Sequence, residues 1–329
     1  MPVSSPENSL YVHVVACQRG PGPPGLAGGN LRVKITFHGV RGSAPCPSGS
    51  RARYGGNTSC VVVDIDGEAP IILDLGTGLR SWGDTQPLDG TFRATALVTH
   101  FHFDHVQGLP FLAAADRLGA QLDIYGPGET GTTVKEMLHQ FVKPPFFPVT
   151  IDQLRGTYNT FDVVDDDLPI GGAKVRVRPI PHVGLTLGFR IEADGVSVAY
   201  LPDHQAPADM KSVAASVMDL CDGVDLLIHD AQYTEADWET KSEWGHSTMA
   251  YSLEVARQSG AHTLALFHHD PSRSDDEIDR LSRPVIEQGA ALGIEVFAAA
   301  EAMTFLPGQP MAAQLRRRVP VGPMFDSRC

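Results

Sequence analysis

The sequence predicts an α/β fold in which two mixed β-sheets lie sandwiched between helices. Three observations carry this reading. Strand-like and helix-like runs alternate through both halves of the chain. Several strands are short unbroken apolar runs, as strands buried on both faces are. Hydrophobic residues make up 42% of the 329, enough for a large core without cross-links.

Val33 to Phe37 alternates apolar and polar residues and reads as the first strand. Ser59 to Ile65 and Pro70 to Leu73 are β-rich runs around a turn at Asp66-Gly67. Ala94 to Thr99 is a short buried strand, and Leu122 to Tyr125 another. Gly108 to Leu118 reads as a helix ending at Gly119, and Thr132 to Phe141 as a second. The segment from Lys143 to Asp167 carries three prolines and mixed signals, and its detail stays open. Ala173 to Ile180, Thr186 to Glu192 and Val196 to Leu201 form a meander, with Asp194-Gly195 turning the last hairpin. Ala208 to Leu220 is amphipathic, and Asp225 to Ile228 is a buried strand. Ser247 to Gln258 places Met249, Leu253 and Ala256 on one helical face, with Gly260 past its end. Thr263 to Phe267 is a strand. Ser274 to Glu277 is a capping box for a helix that Pro284 should kink or shorten, and Ile294 to Ala298 closes the series.

This core spans residues 32–306. Residues 1–31 hold Pro21-Gly22-Pro23-Pro24-Gly25 and develop no periodicity, so an irregular or flexible arm is expected. Residues 307–329 read as a solvated tail around Arg316-Arg317-Arg318. Val14-Val15-Ala16-Cys17 faintly resembles a lipoprotein cleavage site, but Glu7 precedes it and no Lys or Arg does.

Charge and cysteines narrow the partners. Lys and Arg number 26 against 39 Asp and Glu, a net charge of −13. That argues against a partner such as nucleic acid or an anionic membrane surface, which select a basic face. No apolar run approaches the roughly 20 residues of a membrane span. The five cysteines are widely spaced and odd in number, which fits neither a thiolate zinc knuckle nor a disulfide framework. A cytoplasmic location is expected.

The chemistry concentrates in His100-Phe101-His102-Phe103-Asp104-His105, directly after a buried strand. His100 and His102 can aim at one cation, Asp104 and His105 at a neighbour. Imidazole and carboxylate together suit Zn²⁺, and also Mn²⁺ or Fe²⁺. Gly245-His246-Ser247-Thr248 is the second signal. It sits at a helix start, where free N–H groups and the dipole favour phosphate. Ser247 and Thr248 add hydroxyls for substrate contact, and Ser247 is a good N-cap.

The H-x-H-x-D-H run resembles that of the metallo-β-lactamase fold superfamily, and the resemblance extends from about Val33 to Phe305. It implies the αββα sandwich and two divalent metal ions, zinc first. One ion would take His100, His102 and His182, the other Asp104, His105 and His268, with Asp203 bridging. Asp74, in Ile71-Ile72-Leu73-Asp74, would orient the metal loop. His268 directly follows the apolar strand, so it is chosen over His269. His204, beside Asp203, is left open. Two such ions about 3.5–4 Å apart can hold a hydroxide nucleophile.

The order His229-Asp230, Gly245-His246-Ser247-Thr248, helix, His268 resembles the phosphodiesterase branch of that superfamily, which includes ribonuclease Z and cyclic phosphodiesterases. The resemblance implies Asp104, His246 and Asp230 as catalytic, with Asp230 orienting His246. Gly39-Val40-Arg41-Gly42-Ser43 and Tyr54-Gly55-Gly56-Asn57-Thr58 look like this branch too, and suggest Asn57 as a substrate contact. The expected substrate is a small cyclic or nucleotide-type phosphodiester, cleaved through the bridging hydroxide. Thioester or lactone hydrolysis is the alternative. A tRNA 3′-end endonuclease is disfavoured by the charge, and a non-catalytic nucleotide-binding regulator by the complete ligand set. A homodimer is a family expectation.

Overall fold

Fourteen strands, among the residues described, form two seven-stranded sheets. The computed structural model describes residues 33–128 and 131–309. The expected arm at 1–31, all of the expected tail past residue 309, and Cys17 and Cys329 lie outside them.

In the first sheet β1 (Val33–Gly39), β2 (Cys60–Ile65) and β3 (Ile71–Leu73) run antiparallel. Then β4 (Arg93–Leu97), β5 (Gln121–Pro127) and β6 (Thr157–Val163) continue from β3 in parallel. The second sheet mirrors this plan. β7 (Asp166–Ile170), β8 (Ala173–Ile180), β9 (Thr186–Ala193) and β10 (Val196–Leu201) form an antiparallel meander. β11 (Leu226–Asp230), β12 (Thr263–Phe267) and β13 (Glu295–Ala298) extend it in parallel. β14 (Thr304–Phe305) returns to the first sheet and pairs with β1.

The inner faces of both sheets close one core. Phe37 of β1 packs its ring 6.1 Å from those of Phe267 and Phe297 in the opposite sheet. Ile35, Val61, Val63, Phe189 and Ile228 join it, all fully buried. Helices cover the outer faces. α1 (Gly78–Gly83), α2 (Phe103–Val106) and α3 (Val134–Phe141) belong to the first half. α4 (Ala215–Cys221), α5 (Glu235–Lys241), α6 (Met249–Ser259) and α7 (Asp275–Leu292) belong to the second. Each outer layer has its own apolar cluster. Residues 60–63 of β2, 226–228 of β11 and 264–267 of β12 are therefore buried on both faces, which is why they read as unbroken apolar runs.

Three expectations are corrected. Residues 108–118 form no α-helix. A 3-10 turn over Leu109–Phe111 is followed by tight turns, with Leu112 N–H bonded to the Leu109 carbonyl and Ala115 N–H to that of Leu112. This tighter winding buries Leu109, Leu112, Ala114 and Ala115 together. α4 starts only at Ala215. Pro284 neither ends nor shortens α7, which runs 18 residues to a left-handed Gly293 cap. Its capping box and buried Ile278, Val285, Ile286 and Gly289 outweigh the one missing N–H. No helix among the described residues is long and apolar enough to cross a membrane.

Candidate metal centre

Parallel strands deliver side chains past their carboxyl ends, and that is where the site forms. Asp74 follows β3, the His100–His105 loop follows β4, Asp203 follows β10, Asp230 ends β11 and His268 follows β12. His182 follows β8 of the meander. Asp74 and His268 both adopt a left-handed backbone with φ of 59°. Residues with a Cβ pay about 1–3 kcal/mol for such conformations, which gather at functional sites.

The predicted donors converge in two groups. In the first, His100 Nε2 lies 2.8 Å from His102 Nδ1, and His182 Nε2 lies 3.4 Å from that same nitrogen. In the second, His268 Nε2 is 3.1 Å and His105 Nε2 3.3 Å from Asp104 Oδ2. Asp203 stands between the groups. Its Oδ2 is 3.7 Å from His100 Nε2 and 3.5 Å from His182 Nε2, and its Oδ1 is 3.1 Å from both His105 Nε2 and His268 Nε2. One carboxylate thus offers one oxygen to each group.

Three of the other ring nitrogens are tied back, whereas His268 Nδ1 is buried without a hydrogen bond. His105 Nδ1 bonds to Asp74 Oδ2 at 2.7 Å, His182 Nδ1 to the Gly245 carbonyl at 2.6 Å, and His100 Nδ1 to Thr99 Oγ1 at 3.0 Å. Thr99 N–H and the Tyr200 hydroxyl hold Asp74 in turn. Such outer bonds fix each ring's orientation and leave Nε2 for a cation. His102, the most exposed of the set, alone turns Nδ1 inward.

Do these residues fit divalent cations? His105 Nε2 and Asp203 Oδ1 are buried without a hydrogen bond. Burial pushes His100 and His182 below the usual imidazole range, which keeps their lone pairs free. Asp74, Asp104 and Asp203 crowd one buried spot, and among the described residues none of their hydrogen-bond or ion-pair partners is a Lys or Arg. Burial disfavours charge on His105, yet these three carboxylates hold it well above its ordinary pKa. The site calls for positive charge, and imidazole with carboxylate is the donor set for it.

His246 borders the centre. Its Nδ1 lies 2.9 Å from Asp230 Oδ2 and 3.8 Å from Asp203 Oδ2. Burial works against a charged ring, but the Asp230 carboxylate prevails and raises its pKa to about 9. Gly245 precedes it with φ of 90°, and a Cβ there would overlap the His182 ring, so only glycine serves.

Three expected substrate contacts lie elsewhere. Thr248, not Ser247, caps α6, accepting from Tyr251 N–H. Ser247 donates its hydroxyl to the His204 carbonyl. Both residues are fully buried, so the hydroxyls do not line a substrate site. Asn57 is turned to Glu301, which accepts from its side-chain amide at 2.9 Å and its backbone N–H at 2.6 Å. The open histidine questions also resolve. His269 donates to the Ala299 carbonyl, away from the centre, and burial pushes its pKa down to about 3. His204 pairs with His229, its Nδ1 2.8 Å from His229 Nε2. Sequence reasoning missed Ser43, whose N–H reaches Asp104 Oδ2 at 2.7 Å, although the glycine-rich run containing it was visible.

Two imidazole–carboxylate groups sharing one carboxylate, at the strand ends of an αββα sandwich, define a metal-dependent hydrolase. The chain belongs to the beta-lactamase superfamily, whose domain profile matches residues 80–269. Curated relatives include the ribonuclease Z of Haloarcula marismortui, 25% identical over 72% of this chain and 86% of the relative. That of Pyrococcus abyssi is 26% identical over 74% and 89%. Among solved structures, the metallo-beta-lactamase fold protein YhfI from Bacillus subtilis superposes with a TM-score of 0.62 at 18% identity, covering 83% of this chain and 98% of its own. The short form of human tRNase Z gives 0.60 at 21%, covering 83% and 99%. These structures share the fold. The expectation that disfavoured a nucleic-acid partner is corrected by the relatives named ribonuclease Z. A net charge of −13 sums over the whole chain and does not describe the field at one cluster of buried imidazoles and carboxylates.

Proposed function

We propose that this protein is a two-metal phosphodiesterase acting on nucleotide-type phosphodiesters, RNA among them. The observation that carries this is His246, held by Asp230 at 2.9 Å beside the shared carboxylate Asp203. A two-metal thioester hydrolase, whose thiolate departs without protonation, has no need of a proton-donating histidine there, whereas a departing alkoxide does.

His100, His102 and His182 would hold one ion, Asp104, His105 and His268 the other, with Asp203 shared. Five imidazoles against two carboxylates favour zinc over manganese or iron. Bound there, divalent ions supply Lewis-acid charge for phosphoryl oxygens and acidify water at neutral pH. The chain's own residues do the rest. Asp230 engages Nδ1 of His246, which leaves Nε2 to donate to the leaving oxygen. Asp104, Asp203 and Asp74 fix the donor rings. Phe103, Val183 and Trp244 are exposed by 64%, 51% and 64%, and they neighbour His102, His182 and Gly245 in sequence. Apolar and aromatic residues beside a phosphate site suit a base-bearing substrate.

The test is hydrolysis of thymidine 5′-p-nitrophenyl phosphate, a cyclic nucleotide and a 3′-extended tRNA, each with Zn²⁺ or Mn²⁺, beside a thioester and a lactone. Metal-dependent cleavage of a diester is expected. Cleavage of the thioester or lactone alone would overturn the reading.

A further inference from the structure

The segment Arg41-Gly42-Ser43, just past β1, runs between the site and α7. Arg41 is fully buried. Its Nε donates to the Gly55 carbonyl at 2.8 Å, and its Nη1 to the carbonyls of Arg273 at 2.9 Å and Asp270 at 3.3 Å. Its Nη2 lies 3.5 Å from Asp275 Oδ1. The backbone is sewn to the His268 segment on both sides. His269 N–H donates to the Val40 carbonyl at 2.9 Å, and Gly42 N–H to the His269 carbonyl at 3.0 Å.

The tip of this strap touches the second donor group. Ser43, left-handed with φ of 60°, gives its N–H to Asp104 Oδ2 at 2.7 Å. That oxygen also faces His268 Nε2. Gly42 lies so close to the His268 ring and the Gln232 amide that a Cβ would overlap both. Gln232 in turn donates its side-chain amide to Ser43 Oγ at 3.3 Å and its backbone N–H to Asp230 Oδ1 at 3.0 Å. By contrast, no hydrogen bond or ion pair described for His100, His102 or His182 comes from the strap.

A carboxylate held only by a cation can rotate about its own bonds. A backbone donor on the same oxygen fixes the rotamer, provided that the backbone cannot move. The buried guanidinium, bonded to three carbonyls, supplies that rigidity. We propose that Arg41, Gly42 and Ser43 are positioning residues for the ion held by Asp104, His105 and His268, and act little on the ion held by His100, His102 and His182. This rests on the reading that the two groups bind divalent ions, not on the choice of substrate.

The experiment is competition for Zn²⁺ between the full chain and a chromophoric chelator. The wild type is expected to hold two ions. In Gly42→Ala and in Arg41→Lys one ion should weaken by about 10–100-fold, the usual cost of losing an outer hydrogen-bonding partner, while the other keeps its affinity. Wild-type affinity for both ions in Gly42→Ala and Arg41→Lys would overturn the proposal. So would an equal loss of both ions, which is the mark of a strap needed only for folding. If Gly42→Ala gives no cooperative melting transition, Arg41→Lys decides by the same criteria. A wild-type protein that binds no Zn²⁺ would remove the metal reading itself, and would show this before any variant is compared.

Discussion

The Nδ1 of His246 lies 2.9 Å from Oδ2 of Asp230, and both side chains are buried. Asp230 is itself held, its Oδ1 by Gln232 N–H and its Oδ2 by His204 N–H. The pair is therefore a built unit, with the imidazole pinned in one orientation. Since Nδ1 is taken, Nε2 carries the donor function.

His246→Ala should leave two ions per chain, measured by elemental analysis, and lower kcat by roughly 10²-fold or more, the usual scale for a proton donor or oxyanion partner. Asp230→Asn should act in the same direction, because it removes the charge that keeps the ring protonated. Turnover at the wild-type rate in His246→Ala would take this residue out of the reaction.

Asp203 offers Oδ2 to one donor group and Oδ1 to the other. Asp203→Ala should therefore weaken both ions, and the purified variant should carry fewer than one tight ion per chain. Two ions retained through gel filtration in the presence of a chelator would disprove the shared-carboxylate assignment.

Much of this centre was legible in the sequence for a physical reason. Strands buried on both faces are unbroken apolar runs, and the polar residues that end them stand out. His100 follows the buried residues 96–99 at the end of β4, and His268, once the family resemblance calls for a last histidine, is picked out by its place directly after β12. His182 and Asp203 carry no comparable local signal and were reached only through the family resemblance. The misread residues share one cause. Ser247, Thr248 and Asn57 are small polar residues in loops, equally suited to ligands and to contacts within the fold, and packing buries the first two while Glu301 engages the third. Ser43 was missed because its contribution is a backbone N–H, which no side-chain pattern encodes.

Phe103 stands between two expected ligands, His102 and Asp104, yet it is 64% exposed, with its ring 6.5 Å from that of Phe141. A base stacking there would gain about 1–3 kcal/mol, or roughly 5–150-fold. Phe103→Ala should lower kcat/KM for thymidine 5′-p-nitrophenyl phosphate more than for methyl p-nitrophenyl phosphate. The ratio of the two should fall about tenfold or more. An unchanged ratio would mean that the ring does not meet the substrate.

His38 lies on β1, away from the centre, and its titration bears on stability alone. Burial pushes its pKa down from 6.5 to about 4, the Lys34 ammonium adds to this, and the Asp64 carboxylate opposes it. The unfolded chain then binds more protons at this residue than the folded chain between about pH 4 and 6.5, so stability rises with pH across that window. The contribution is complete above pH 6.5 and is lost as the pH falls toward 4. In His38→Gln, the urea midpoint should decline less between pH 6.5 and 4 than it does in the wild type. Parallel declines in the two proteins would show that His38 titrates normally in the fold.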